Sequence, residues 1–338
     1  MSHFIRNTVI LAKTEVTYGT DPTPTGGANA LLVSNLSINP LNAQNVPRDL
    51  ITGFMGGFEQ LVANRFVECG FDIELVGGGT AGTGPAWGPV LQACGFAETD
   101  TASTRVDFVP VSSAFSSLTI YWYDDGLLHK ICGARGDVMF KLNANSRPVM
   151  SFTFKGLYTA PTATSNASPT LTGFKAPLAV AEANTADLTF GCTHSTSGAP
   201  ALASGTPYPS MGIEFGTGNT VEHIPMLGGE SVEITAREAT CKFQVELTAA
   251  QEVTMMGNVA ANTPIKIIAW KGHCEVHEKF TGEDVRQIRD AHPGTIVLAH
   301  PECPPDVLEE AVEPARCSLG ALAAIRHPRG RSDRPGPA

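Results

Sequence analysis

The side chains of this sequence that could carry out chemistry are its cysteines and histidines, together with a few acids near its C-terminal end. No two of the eight cysteines have the CxxC spacing of a zinc site or a redox motif. We therefore expect most of them to be reduced and buried as small apolar side chains. They are Cys69, Cys94, Cys132, Cys192, Cys241, Cys274, Cys303 and Cys317.

Two polar side chains follow a short predicted strand over residues 295–299. His300 and Glu302 come directly after this strand, within the sequence His-Pro-Glu. Ligands of parallel sheets bind beyond the carboxyl ends of the strands, so this position suits a substrate-binding pair. Elsewhere, His194 and His223 have no paired nucleophile, and we expect both to be surface histidines.

Composition narrows the possible functions. The net charge is -10 and the isoelectric point is about 5.4, so there is no diffuse positive field to hold nucleic-acid phosphates, and tight DNA binding is excluded. No apolar run approaches the roughly 20 residues that span a bilayer, and the first eight residues lack a signal pattern. We expect a soluble protein made in the cytoplasm, with no membrane partner.

Alternating apolar residues and frequent turn residues predict a mainly β protein. Every second residue in 118–123 is apolar, so these side chains share one face of a strand. Asp124-Asp125-Gly126 then forms a turn that leads into a second strand. With a further turn at 133–136, the pattern predicts a four-stranded antiparallel meander. Its strands cover 118–123, 127–132, 138–142 and 149–154, and other strands are predicted at 9–12, 68–76, 231–235 and 240–247.

A short helix is predicted to flank this sheet at residues 87–96. Trp87, Val90, Leu91 and Cys94 fall on one helical face, and Gly95 stands near the end. The apolar face is therefore expected to pack across the sheet.

A long connection is predicted over residues 46–65. A loop of about 20 residues in a compact domain is usually functional or disordered, and this one combines apolar side chains with opposite charges. We predict a contact with another subunit, with a loop folded onto its own core as the alternative. The candidate assembly residues are Arg48, Asp49, Phe54, Met55, Phe58 and Arg65.

Changes in composition divide the chain. Residues 1–266 form the predicted β domain, in which the Thr-, Ser- and Pro-rich stretch 161–177 either links two sub-barrels or decorates one. Residues 267–311 are predicted as a small α/β-like appendage with a helix, a strand and a second helix. Residues 312–338, rich in arginine and proline, are predicted to be disordered.

Short motifs along the first part, in one order over about 260 residues, resemble those of phage tail tube proteins of the siphovirus-like, non-contractile type. They include Leu11-Ala12-Lys13, Tyr18-Gly19-Thr20-Asp21, Gly79-Thr80-Ala81-Gly82-Thr83, Pro85-Ala86-Trp87-Gly88-Pro89, Gly133-Ala134-Arg135-Gly136 and Gly156-Leu157-Tyr158-Thr159-Ala160-Pro161.

The resemblance implies an antiparallel β-sandwich or half-barrel with a flanking helix. It also implies a structural virion protein of a phage or prophage, made in the host cytoplasm. Six subunits close a ring, rings stack into a tube with the other phage tail proteins, and DNA passes through without tight binding. Acids lining the lumen would repel DNA, whereas solvated acids on the outer face are the alternative. The candidate acids are Glu68, Asp72, Glu74, Asp137, Glu233 and Glu246.

Residues 267–311 resemble a fragment of quinolinate synthase, an iron-sulfur enzyme of NAD biosynthesis. The resemblance implies that Cys274 matches one of three cluster ligands, and that His300 and Glu302 match substrate-binding and acid-base residues. Three thiolates are needed to hold such a cluster with one iron open, and this segment supplies one. An inactive enzyme fragment is thus the alternative to a structural protein, and we expect no enzymatic activity and no cofactor.

Overall fold

The structure is a computed structural model, and it confirms a mainly β, antiparallel fold. It describes residues 5–261 except 52, 81, 103–104, 184, 186–187, 191–192, 196–200 and 204–205; beyond 261 it describes only 265–266, 286, 290, 296–297 and 323–324. The helices are α1 (Gly26–Asn29), α2 (Gly88–Gln92) and α3 (Ala249–Ala260).

The strands in chain order are β1 (Thr8–Thr14), β2 (Ala30–Leu31), β3 (Ser34–Pro47), β4 (Gln60–Glu74), β5 (Phe96–Thr101), β6 (Arg105–Pro110), β7 (Leu118–Asp124), β8 (Leu127–Asn143), β9 (Val149–Tyr158), β10 (Thr162–Ala163), β11 (Leu188–Phe190), β12 (Thr193–Ser195), β13 (Ala201–Ala203), β14 (Thr206–Tyr208), β15 (Ser210–Gly216), β16 (Asn219–Met226), β17 (Gly229–Arg237), β18 (Thr240–Val245), β19 (Ile265–Lys266), β20 (Ile296–Val297) and β21 (Ala323–Ala324).

The long strand β8 is the centre of the main sheet. Its first half pairs with β7, and β7 continues to β1 and β2. Its second half pairs with β15 on the same edge, and β15 continues to β18. Along the opposite edge β8 pairs with β9, which leads to β4 and β3. The sheet therefore forks beside β8, and among the described strands it does not close into a barrel.

The fork lies where the sequence predicts a turn, and that prediction is wrong. Residues 133–136 remain within β8, which carries one extra residue relative to both β7 and β9. Gly133 adopts φ +59 at this bulge, a conformation that glycine reaches without steric cost. The predicted four-stranded meander is consequently three strands, with the middle one long enough to serve both branches.

The helix prediction is confirmed, although α2 is only five residues long. Trp87, Val90, Leu91 and Cys94 are all buried, and they pack in one core with apolar side chains from β1, β4, β7, β8 and β9. The curved sheet thus encloses one helix, the half-barrel arrangement expected of this sequence.

The stretch 161–177 contacts the main sheet. Thr162 pairs with β8 at Leu128, and Leu171 packs on the buried cluster formed by β1, β7 and β8. Asn166 accepts a hydrogen bond from the Gly126 amide at 3.1 Å. This stretch is therefore a strap that lies along the sheet.

Near the end of the described body one predicted element is confirmed and another was missed. The strand predicted at 231–235 lies within β17, which pairs with β16 in a long hairpin. Helix α3 was not predicted, although Thr248 and Gln251 form a capping box at its start. Its Met255 is buried with Tyr208 and Val245, so α3 is packed against the sheet.

Beyond residue 261 the structure describes little of the predicted appendage. β19 pairs in parallel with β20, within the predicted strand 295–299. Arg286 and Asp290 have helical backbone, within the helix predicted there. β21 pairs with β18 in antiparallel fashion.

Candidate assembly surfaces

The predicted long loop is largely a β-hairpin, so its predicted extent over 46–65 is wrong. β3 and β4 pair as far as Pro47 and Gln60, and only residues 48–59 form the connection. β3 was missed because it contains Pro40 and many polar residues, and it lacks apolar alternation. Its pairing with β4, a tertiary contact, overrides this weak propensity. We call the hairpin from residue 41 to residue 62 the arm.

The tip of the arm exposes large apolar side chains. Phe54 is 88% exposed and Met55 fully so, which contradicts the alternative of a loop folded onto its own core. Such a concentration of apolar surface on a soluble protein marks an interaction site. The exposed apolar side chains of the arm are Leu41, Val46, Leu50, Ile51, Phe54, Met55, Phe58, Leu61 and Val62.

The charged residues predicted for the same contact hold the arm in shape. Arg48 forms an exposed ion pair with Glu59 across the base of the tip. Arg65 lies over the Tyr158 ring, with 5.2 Å between the guanidinium carbon and the ring centroid, so it ties the arm to β9. The structure places Asp49 on the exposed tip.

The tip of the β16–β17 hairpin also exposes apolar side chains, near the base of the arm. Met226 and Leu227 are exposed there, and Pro225, Met226 and Glu230 face Arg65 across an open groove. His223 was predicted to lie on the surface, but its side chain is only 4% exposed. It stacks on Phe66 of β4 with ring centroids 5.1 Å apart, which fastens the second hairpin to the base of the arm.

A polar network fixes the other end of the β16–β17 hairpin. Asn219 donates to the carbonyl oxygens of Cys94 at 2.7 Å and Gly136 at 3.0 Å. Arg237 donates to the Asn219 side chain at 2.8 Å and to the Gly95 carbonyl at 3.1 Å. No sequence motif announces this network, because its members come together only when β8, α2 and the hairpin meet.

The run of strands from β3 to β18 in the main sheet has two outer strands. The order β3-β4-β9-β8-β15-β18 is antiparallel at every step, so the two outer strands of this six-strand run point in opposite directions. Among the described strands, β3 pairs only with β4. Unpaired strand edges expose hydrogen-bonding groups to which another chain can add.

Four of the six candidate lumen acids share the face of the sheet that points away from the core. On β4, Glu68, Asp72 and Glu74 alternate with buried core residues, and Asp137 does the same on β8. Each has a partner. Glu74 pairs with Arg147 at 2.9 Å, Glu68 approaches Lys155 at 3.7 Å, Asp72 accepts from Asn35, and Asp137 accepts from Thr217.

The other two candidate acids are placed differently. Glu233 forms an ion pair with Arg135, which is itself buried under the β16–β17 hairpin. Glu246 is exposed just after β18.

The buried carboxylate of Glu15 connects the chain segments that meet where the sheet forks. Glu15 accepts hydrogen bonds from the Gly19 amide at 2.7 Å, the Gly133 amide at 2.7 Å, and the hydroxyls of Ser117 and Thr119 at 2.6 Å each. These donors come from three separate segments of the chain. Nothing in the sequence spacing predicted this role of Glu15.

The described cysteines are buried and reduced, as predicted. Cys69, Cys94, Cys132 and Cys241 are free thiols. Burial raises the pKa of the Cys69 thiol to about 12 and that of Cys241 to about 11. Thiols held neutral in this way are poor metal ligands and poor nucleophiles. Within the described ranges no three His, Cys, Asp or Glu side chains lie close enough to hold a metal ion.

The raised pKa of Cys69 predicts a loss of stability at alkaline pH. The neutral thiol is fully stabilising below the unfolded pKa of about 8.5, and this contribution is lost as pH rises toward the folded value of about 12. Between these limits we expect wild type to lose up to about 1.4 kcal/mol of unfolding free energy per pH unit more than Cys69→Ala. Urea unfolding from pH 8 to 10.5 measures both slopes, and parallel slopes would contradict the prediction.

The residues of the enzyme-like constellation, Cys274, His300 and Glu302, lie outside the described residues. No helix in the described part of the chain is long and apolar enough to cross a membrane.

Comparison with known families separates the two parts of the chain. The family model described as phage tail tube protein matches residues 5–270, which is most of the sequence. The chain belongs to the phage tail tube protein family. The arm, the forked sheet and the two hairpins described above therefore are features of a tail tube protein.

A second match covers the C-terminal part of this tail tube protein. The family model described as quinolinate synthetase A protein matches residues 237–322. Quinolinate synthase 2 of Mesorhizobium japonicum is 48% identical over 99 residues, covering 23% of this chain and 31% of that protein. Quinolinate synthase of Caulobacter vibrioides is 61% identical over 54 residues, covering 16% and 15%. The chain thus spans less than a third of these relatives.

Among solved structures, the cap that terminates the tube of the anti-feeding prophage is similar at 9% sequence identity. The similarity covers 47% of this chain and 89% of that chain, with a TM-score of 0.28, which is too low to indicate a shared fold.

Proposed function

We propose that this protein is a structural subunit of a phage tail tube, in which rings of subunits stack to form the conduit for DNA. The observation that carries the proposal is the antiparallel six-strand run with outer edges of opposite direction. Family membership supports the same role. The subunit would be made in the host cytoplasm and would assemble with other tail proteins in the virion.

The strand directions support ring closure by edge pairing. β18 of one copy and β3 of the next point in opposite directions when the copies are related by rotation about an axis along the strands. Their pairing therefore continues the antiparallel sheet. Because the two edges differ, the contact is heterologous. Such contacts give a closed ring when the rotation from one copy to the next is a whole fraction of a full turn. The resemblance to siphovirus-like tail tubes implies six subunits.

The arm supports stacking of one ring on another. Its apolar tip lies at the end of a long hairpin whose base contacts the body through Arg65 and Phe66. A second ring would bury the tip and the neighbouring apolar residues of the β16–β17 hairpin. This removes from water the surface that a single subunit leaves exposed.

The part of the sheet's outward face that the β16–β17 hairpin does not cover is the proposed wall of the conduit. Its acids are paired with cations or amides rather than free, so the field they present is weak. A wall with few free cations gives phosphates nowhere to bind tightly, and DNA can pass.

The quinolinate-synthase-like part is proposed to be an inactive appendage without a cofactor. The two family matches overlap over residues 237–270, and β18 and α3 in this overlap pack into the tube body. We therefore keep the division of the chain near residue 267. The four described thiols are buried, so none of them is a candidate for the missing cluster ligands.

Negative-stain electron microscopy of the purified full chain, with its absorption spectrum, tests the proposal. Rings or hollow tubes from a colourless protein are the expected result. Monomers that are brown and absorb near roughly 400 nm, as iron-thiolate clusters do, would contradict it and favour the enzyme fragment. Colourless monomers at every concentration would contradict the assembly role as well.

A further inference from the structure

We infer that the C-terminal segment of this chain caps the edge of β18 and thereby restrains assembly of the tube. This inference rests on the proposed function, because β18 is one of the two edges at which neighbouring subunits would pair. It assigns a role in assembly to the part of the chain that lies outside the tail tube match.

The cap is a short antiparallel pair. Thr240 lies opposite Ala324, and Cys241 lies opposite Ala323. β15 occupies one edge of β18 over its whole length, so the cap must occupy the other edge. That edge is the one that β3 of a neighbouring subunit requires.

The cap lies outside both family matches in the sequence, which indicates a segment added to the tail tube part of the chain. The tail tube match ends at residue 270, and the quinolinate synthetase match ends at residue 322, directly before Ala323. Thus the strand that covers the edge comes from neither family.

The lengths of the competing strands make the cap displaceable. The cap pairs with two of the six residues of β18, whereas β3 is long enough to pair with all of them. The cap is tethered to the same chain, so it acts at every protein concentration, while a neighbour competes only as its concentration rises. A covered edge also protects the free subunit from unspecific strand addition.

Proline substitution in the full-length chain tests the cap. The double variant Ala323→Pro/Ala324→Pro removes two backbone donors and cannot keep the ladder. The matched control, Ala315→Pro, places a proline in the same C-terminal region but outside the pair. The readouts are hydrogen exchange of the peptide that contains Thr240–Val245, measured in dilute monomer, and the protein concentration at which rings or tubes appear by sedimentation and electron microscopy.

We expect faster exchange in this peptide in the double variant, and assembly at a roughly ten-fold lower concentration. This follows from the loss of the backbone hydrogen bonds of the pair, whose net contribution is comparable to the energy that corresponds to ten-fold. The control should match wild type in both. Unchanged exchange would overturn the pairing, and faster exchange without easier assembly would overturn the restraint. If neither wild type nor variant assembles at any concentration, the proposed function fails together with the restraint, and the exchange result still decides whether the pair exists.

Discussion

Replacement of Glu15 by alanine is expected to lower the free energy of unfolding by about 3–5 kcal/mol, because four donors lose their shared acceptor and each buried donor left without a partner costs roughly 1–3 kcal/mol. The carboxylate accepts four hydrogen bonds from the Gly19 and Gly133 amides and the Ser117 and Thr119 hydroxyls. Without it these donors stay buried, and each loses its partner. The site is also the point where β7 and β15 part beside β8, so its loss loosens both branches.

Urea unfolding at neutral pH, followed by far-UV circular dichroism, measures this effect. Glu59→Ala is the matched control, because it removes a carboxylate from an exposed ion pair with Arg48, and such pairs contribute roughly 0–1 kcal/mol. Equal shifts of the two variants would show that Glu15 is not the organising group of the fork.

The double variant Phe54→Ser/Met55→Ser is expected to raise the concentration needed for stacking at least roughly 100-fold while leaving the subunit folded. Both side chains are fully or almost fully exposed in the single chain, so the fold does not depend on them. Burial of a large apolar side chain contributes about 1.5–3 kcal/mol, and two of them together exceed the roughly 2.8 kcal/mol that corresponds to 100-fold.

Sedimentation and electron microscopy over a concentration series give the result. Val16→Ser is the control, since Val16 is equally exposed but lies outside the arm. Single rings without tubes are the expected species of the arm variant. Tubes at the wild-type concentration would exclude the arm from the stacking contact.

The sequence predicted those parts of the fold that local pattern determines. The hairpin of β7 and β8 follows from strict alternation and from Asp125 and Gly126, both of which adopt positive φ in the turn. The buried face of α2 follows equally from helical spacing. In each case one segment of the chain contains the whole signal.

The failures occur where distant segments decide the conformation. The sequence around Gly133 is typical of a turn. The Gly133 amide, however, donates a hydrogen bond to Glu15, which is far away in the sequence, and this bond keeps the region in the strand as a bulge. β3 was not predicted as a strand, because its order comes from pairing with β4. His223 was predicted to lie on the surface because the sequence does not show that Phe66 stacks on it. The group of exposed apolar residues at the arm tip could be predicted from the sequence, since apolar side chains in a long connection are unusual.

The pairing of β1 with β7 has a consequence for biosynthesis. Leu11 lies opposite Tyr121, so the first strand leaves the ribosome long before its partner exists. At roughly 5–20 residues per second, β1 waits on the order of ten seconds with only the short strand β2 as a partner. Such distant pairing also slows the folding of the completed chain. Slower translation lengthens this interval, so we expect the yield of soluble subunit to fall with the time that the nascent chain spends before its core is complete.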